Sequence, residues 1–335
     1  MRRRSTLREP TPGRSARRVD PATRAAFETM AVSGRGEAGA LAVGLRQEIT
    51  SVGLRALAAK LLHVAICAPG RMVDVYDSAA HGWLSGQSYS PVTRNMTGEQ
   101  PPAAFWRSFW RLLDQPLGGR RRKSFTASTA ELAGLLEQRI NSRVAAAALS
   151  FPGMTDAVEA RRLERIDLRS LSHMPATSLG GVVYREAVAR GQLDMILEPG
   201  ALLLERLPPP LGYLNARILE SHIVWAALAG YSSAELDELA LAAFQMGQFG
   251  HHYSSLVIAL AAATLAFERP VGLEIVLDSI FRGWLHGRET PPLLGVSWSD
   301  LWETPIDVVR QRLGVTTFPS PLAAAIAAMP QGGPH

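Results

Sequence analysis

The stretch Leu219–Phe244, LESHIVWAALAGYSSAELDELALAAF, decides the fold class. Its first part is apolar at nearly every position, with one histidine, His222, in the middle. Gly230 and two serines interrupt it. A second run then opens with Glu235, Asp237 and Glu238 and turns apolar again. A glycine just past an apolar run is where helices end in a left-handed residue. Ser232 with Glu235 three residues on has the capping-box pattern of a helix start. The stretch therefore reads as two helices joined by a short turn. His222 falls midway along the first and Glu238 in the first turn of the second, so the turn can set the imidazole opposite the carboxylate.

The same pattern continues outward. The chain has 335 residues, 47% of them apolar and 19% charged, which is ample for a buried core. Alanine and leucine dominate and no strand alternation is found, so the expectation is an all-α, multi-helix bundle. Helices are expected from Ser128, capped with Glu131, to about 150, and then over 178–191, 213–229, 232–247, 252–267, 272–286 and 305–314. Residues 26–66 carry helical periodicity broken around Gly34–Gly39, stopped by Pro69 and Gly70. Residues 80–102, rich in Gly, Ser, Thr and Pro, read as loop. No internal repeat is found, and the tail after Phe318 reads as loose. Four regions follow: an arm over 1–25, an N-terminal helical region over 26–124, a helical domain over 125–316 and a flexible tail over 317–335.

Composition narrows the function classes. The single Cys67 excludes an intramolecular disulfide and any cysteine-based zinc site, and its apolar neighbours make it a packing residue. Eight arginines fall within the first 24 residues, among Pro10, Pro12 and Gly13, which describes a disordered cationic arm, either a solvated tail with no specific partner or one suited to anionic lipid or nucleic acid. The body has no recognition motif for nucleic acid, so a basic nucleic-acid binder stands only as an alternative. The longest apolar run, 253–267, is short of the roughly 20 residues a spanning helix needs. Phe105, Trp106, Phe109 and Trp110 share one helical face, followed by the basic cluster Arg120–Lys123. Such a face suits a domain core, or else a membrane interface.

Several ordered pieces resemble one family, the coenzyme Q biosynthesis protein 4 homologues of ubiquinone biosynthesis. MPATSLGGVVY is similar to its P-x-x-S/T-L-G-x-x-Y through Pro175, Ser178, Leu179, Gly180 and Tyr184. IFRGWLHGR matches its R-G-W-x-x-G-R at Arg282, Gly283, Trp284, Gly287 and Arg288. Trp298, Trp302, Pro305, Arg310 and Gly314 follow its closing motif, with Ile306 where leucine is usual. The family's metal signature, H-D-x-x-H followed after eleven residues by E, falls on His222, Ile223, Ala226 and Glu238, so two of its four ligand positions are replaced. The resemblance covers about residues 125–316.

What the resemblance implies is an all-helical homodimer at the inner face of a membrane, peripheral and cytoplasmic. Its apolar tunnel would hold a polyprenyl quinone precursor, and it would organise the biosynthetic enzymes. His222, Arg282 and Arg288 are the expected substrate contacts, since guanidinium groups suit a carboxylate or phosphate. Each arginine could instead pair internally, with Asp278, Glu289 or Asp300. His222 and Glu238 are what remains of the metal site. A zinc site takes four ligands, or three and a water, so zinc or another divalent ion would need help from His251, His252, Asp237 or Glu220. The alternative within the family is an active enzyme, its site rebuilt, that oxidatively decarboxylates a prenylated benzoate ring.

Overall fold

Glycines, prolines and capping hydroxyls divide the chain into helices. The computed structural model describes residues 19–89, 100–114, 122–136, 138–193, 207–268 and 272–328. Among them lie α1 (Pro21–Ser33), α2 (Ala38–Gln47), α3 (Ser51–Ile66), α4 (Met72–Ser85), α5 (Ala103–Leu113), α6 (Arg122–Gly134), α7 (Gln138–Leu149), α8 (Met154–Ala160), α9 (Leu179–Ala189), α10 (Leu211–Ala229), α11 (Glu235–Phe249), α12 (His252–Glu268), α13 (Leu273–Glu289), α14 (Ile306–Leu313) and α15 (Pro321–Ala328). No strand occurs among the described residues, only an isolated bridge between Ser178 and Pro305. The protein is all-α, as the composition requires.

The ends follow local chemistry. Ser178 accepts from the Gly181 amide and starts α9. Gly230 and Gly314 close α10 and α14 with φ of 74° and 65°, values that favour glycine. Four expectations are corrected. Ser128 lies inside α6 and does not cap a helix. Ser232 does not cap α11: the helix starts at Glu235, and the Ser232 hydroxyl donates to Asp237 Oδ2 at 2.5 Å. The cationic arm stops short of residue 25, because Asp20 caps α1 and Arg24 within it bonds Asp114 at 2.8 Å. The tail after Phe318 carries α15, whose side chains bury little. Residues 1–18 and the basic cluster through Arg121 lie outside the described residues.

One core joins the N-terminal and C-terminal helices. The aromatic face of α5 belongs to it: Phe105 and Phe109 are fully buried, and Phe27 lies 5.9 Å from Phe109 and 5.3 Å from Phe267. Cys67 is buried, and desolvation pushes its thiol up to about 12, which leaves it inert. α12 packs along α3, both lined by buried alanines that let the backbones come close. No helix among the described residues is long and apolar enough to cross a membrane.

The structure also overturns the absence of an internal repeat. Adding 201 to the spans of α3 and α4 gives 252–267 and 273–286, which are α12 and the body of α13; α2 moved likewise falls inside α11. At that offset DSAAHGWLSGQ (77–87) lies on DSIFRGWLHGR (278–288), with six of eleven residues identical. The packing repeats too. A methyl group on Gly82 would fall on the carbonyl oxygen of Gly39 in α2, and one on Gly283 would fall on that of Ala240 in α11. These are the same two positions 201 residues apart. α4, whose last turns fall in the stretch 80–102 read as loop, is thus the counterpart of α13.

Candidate functional site: a polar row beneath α10

α10 lies over α11 and the start of α12, and its polar residues face them. Asn215 and His222 are seven residues apart, so two turns stack them on one face. Glu238 and Gln245 stand in the same relation on α11. The Gln245 amide donates to His222 Nδ1 at 2.8 Å. That leaves the proton of a neutral imidazole on Nε2, which faces Glu238 Oε2 at 3.9 Å. At the other end of the row His251 Nε2 meets Asn215 Oδ1 at 3.0 Å, and the Ser254 hydroxyl lies 2.8 Å from His251 Nδ1 and 3.1 Å from Gln245 Oε1. Desolvation, with the neighbouring His252 and His222 adding to it, pushes His251 down to about 3, so it is neutral at physiological pH.

Glu238 has a cation of its own. Arg190, whose side chain is fully buried at the end of α9, ion-pairs with the Glu238 carboxylate and donates to the Tyr231 carbonyl at 2.7 Å. It also touches Glu186 at 3.4 Å. The two replaced ligand positions, Ile223 and Ala226, are buried apolar residues. The neighbours that could have completed a metal site are engaged elsewhere. His252 Nε2 is 2.6 Å from the Ala65 carbonyl, Glu220 binds Arg217 at 2.7 Å, and Asp237 accepts from Ser232 and Ser320. Among the described residues no three His, Cys, Asp or Glu side chains gather where they could hold a metal ion. Two donors, one already facing a guanidinium, do not fit a divalent cation.

Arg282 and Arg288 are not part of this row. α13 packs on α11 at Ala240, Phe244 and Gly247, roughly 100° to 180° around the axis from Glu238 and Gln245. Arg282 lies 3.6 Å from Asp278 and Arg288 lies 3.8 Å from Asp77, both partly exposed. Arg288 also leans over the Phe151 ring at 5.7 Å. The sequence had named Asp278 as a partner for these arginines but not Asp77, which belongs to the unread helix α4.

The other motif residues prove to be joints. The Leu179 and Gly180 amides donate to the Thr304 and Trp302 carbonyls at 2.8 and 2.9 Å, so the motif opening α9 is stitched to the one preceding α14. Arg310 donates to the Leu228 carbonyl at 2.8 Å and ties down the end of α10. Trp298 is fully buried with its indole 3.2 Å from Ser221. Sequence reasoning missed Arg190, Asn215, Gln245 and Ser254. The seven-residue spacings were visible beforehand; the arrival of Arg190 from α9 was not.

Two cavities can be set against the expected apolar tunnel. One is a small pocket lined by Ile66, Cys67, Pro101, Leu136 and Ile140. The other, about 480 Å³, is a surface groove on α2 and α3 lined by Leu41, Gly44, Leu45, Gln47, Glu48, Thr50 and Gly53. Neither touches His222 or the arginines of α13.

This helical bundle, with its motif joints and its His222–Glu238 pair, is the setting for the comparisons. Residues 162–319 match the family model of coenzyme Q (ubiquinone) biosynthesis protein Coq4. That match spans just under half of the chain. The crystal structure of a protein from Nostoc punctiforme PCC 73102, described as a ubiquinone biosynthesis protein, shares the fold with a TM-score of 0.51 and 19% identity. It covers 64% of this chain and 97% of its own. No curated protein matches the chain.

Proposed function

We propose that this protein serves ubiquinone biosynthesis by binding a polyprenyl quinone precursor and holding biosynthetic enzymes together at the inner, cytoplasmic face of a membrane, without the metal chemistry of its family. The observation that carries this reading is the guanidinium of Arg190 on Glu238. A fixed positive charge occupies the carboxylate that would bind a metal, and the two other ligand positions are apolar. His222, still partly exposed at 26%, then serves to orient a polar ring rather than to ligate. Arg282 and Arg288, on the far face of α11, are proposed contacts for an anionic group of lipid or partner.

Mass spectrometry of the purified full chain tests this. A prenylated aromatic lipid should co-purify, with zinc and iron far below one per chain. Near-stoichiometric metal together with turnover of a prenylated hydroxybenzoate would overturn it. The second reading, an enzyme with a rebuilt site, has the ordered row from Asn215 to Glu238 in its favour. It requires Glu238→Ala to abolish conversion while leaving lipid bound.

A further inference from the structure

We propose that the groove on α2 and α3 is a docking site for one cationic, amphipathic helix of a partner protein, laid across it as α10 lies across α11 and α12. The proposal rests on reading this protein as an organiser of other enzymes, and it gives that role a surface.

The molecule carries its own template for the contact. The residues lining the groove lie within 40–53 and match 241–254 at the offset of 201. The match is structural as well as sequential. Trp83 donates its indole N–H to Asp278 Oδ1 at 2.6 Å, and Trp284 donates to Asp77 Oδ1 at 2.7 Å. Trp83 matches Trp284 and Asp77 matches Asp278, so within one fold the two copies exchange the same bond, as the sides of a two-fold contact do. What α10 meets on one copy is therefore a guide to what the other can take. On α11 and α12 it meets Gln245, Phe249 and His251. The same positions on α2 and α3 are Gly44, Glu48 and Thr50, and all three are exposed.

The differences define the chemistry of the occupant. His222 of α10 stands on Gln245. At the matching Gly44 an added methyl group would meet nothing within 4 Å, so a large apolar side chain has room there beside Leu41 and Leu45. Three residues on, Trp225 packs on Phe249. Glu48 stands in that place and calls for an arginine or lysine. It carries the one charge among the described residues lining the groove, and the neighbouring Arg46 is turned away to the Trp83 and Leu84 carbonyls of α4. Asn215 bonds His251; Thr50, whose hydroxyl accepts the Gly53 amide at 3.1 Å, keeps its own proton to donate to such an amide. Val52, next to Gly53 in the chain, is at 70% the most exposed large apolar side chain among the described residues. A hydrocarbon chain would leave the Glu48 carboxylate and the Thr50 hydroxyl unused. A helix with an apolar residue and a cation three positions later uses both, as helices seated in grooves do.

The probe is a labelled, stapled helical peptide with the α10 sequence Leu211–Ala229, carrying His222→Leu and Trp225→Arg. Fluorescence anisotropy should show it binding the full chain. The same peptide with Trp225→Glu in place of Trp225→Arg should bind about tenfold more weakly. Glu48→Arg in the chain, a change at an exposed position, should reverse that preference, and Gly44→Trp should weaken both peptides about tenfold or more. No binding of the first peptide, or a preference that Glu48→Arg leaves as it was, overturns the proposal. So does light scattering that shows a dimer of the unmodified chain turned to monomer by Gly44→Trp, since a second copy would then be the occupant. The lipid that co-purifies is read separately by mass spectrometry, so a failed groove is told apart from a failed lipid reading.

Discussion

Over α11 and α12 lies α10, which brings His222 to Gln245 and Asn215 to His251. Over α2 and α3 the matching surface is an open groove. Of the residues lining it, Gly44 matches Gln245, Glu48 matches Phe249, Thr50 matches His251 and Gly53 matches Ser254. Phe249 packs on Trp225 of α10 at 4.5 Å, whereas Glu48 is exposed. Glu238 meets the buried Arg190; its match, Glu37, is exposed at the start of α2. One scaffold thus appears twice, and only the covered copy carries the polar row. Polar side chains away from water must be satisfied by partners, and α9 and α10 supply those partners on one side alone. The scaffold makes the bundle, and its cover makes the site.

Several changes would break or sharpen this contrast. Arg190→Ala has the largest expected effect, a loss of about 3–4 kcal/mol in denaturant unfolding, because it strips the guanidinium from a largely buried pair. Glu37→Ala, at the exposed position matching Glu238, should cost less than about 1 kcal/mol. Equal losses would mean the two carboxylates sit in like environments. Gly283→Ala and Gly82→Ala should each cost about 3 kcal/mol, since each puts a methyl on a facing carbonyl. Their near equality is the point, and a harmless Gly82→Ala would show that α4 does not pack as α13 does.

Acidification reports on the covered copy. His251 titrates at about 6.5 when unfolded and about 3 when folded. Below 6.5 the unfolded chain therefore binds the extra proton, and its contribution to stability, full above that pH, falls progressively toward 3. The melting temperature should drop by several degrees from pH 7 to 4, and His251→Gln should flatten that slope. Substituting Thr50, the matching residue, by Gln should leave it unchanged. Trp83→Phe and Trp284→Phe should each cost about 1–2 kcal/mol, by depriving Asp278 and Asp77 of a donor. The smallest effect expected is from Gly44→Ala in the open groove, within about 0.5 kcal/mol. Regaining a metal is a separate trial. Ile223→Asp with Ala226→His should bind zinc only when Arg190→Ala is added, as followed by isothermal calorimetry.

Reading the sequence succeeded where the physics is local. Gly230 and Gly314 end helices because their backbones turn left-handed, and Ser178 begins one because its hydroxyl meets a free amide. It failed where a local signal has a distant cause. Gly82, Ser85 and Gly86 look like turn residues in HGWLSG, yet the first is there to let α2 approach. The same three-letter core in RGWLHG was recognised as a motif, and the kinship of the two passed unseen. Ser128 has the spacing of a cap but lies within a helix.

The apolar spacing and the capping residues were enough to determine an all-α chain and most helix boundaries after residue 178, because each depends on neighbours within a turn or two, and the short turn at Gly230 was enough to suggest the nearness of His222 to Glu238. Which cation meets Glu238, which face of α11 Arg282 and Arg288 occupy, and how the two copies clasp through Trp83 and Trp284 were decided only by tertiary packing. Those contacts join residues 48 to 211 positions apart, and no local periodicity records them.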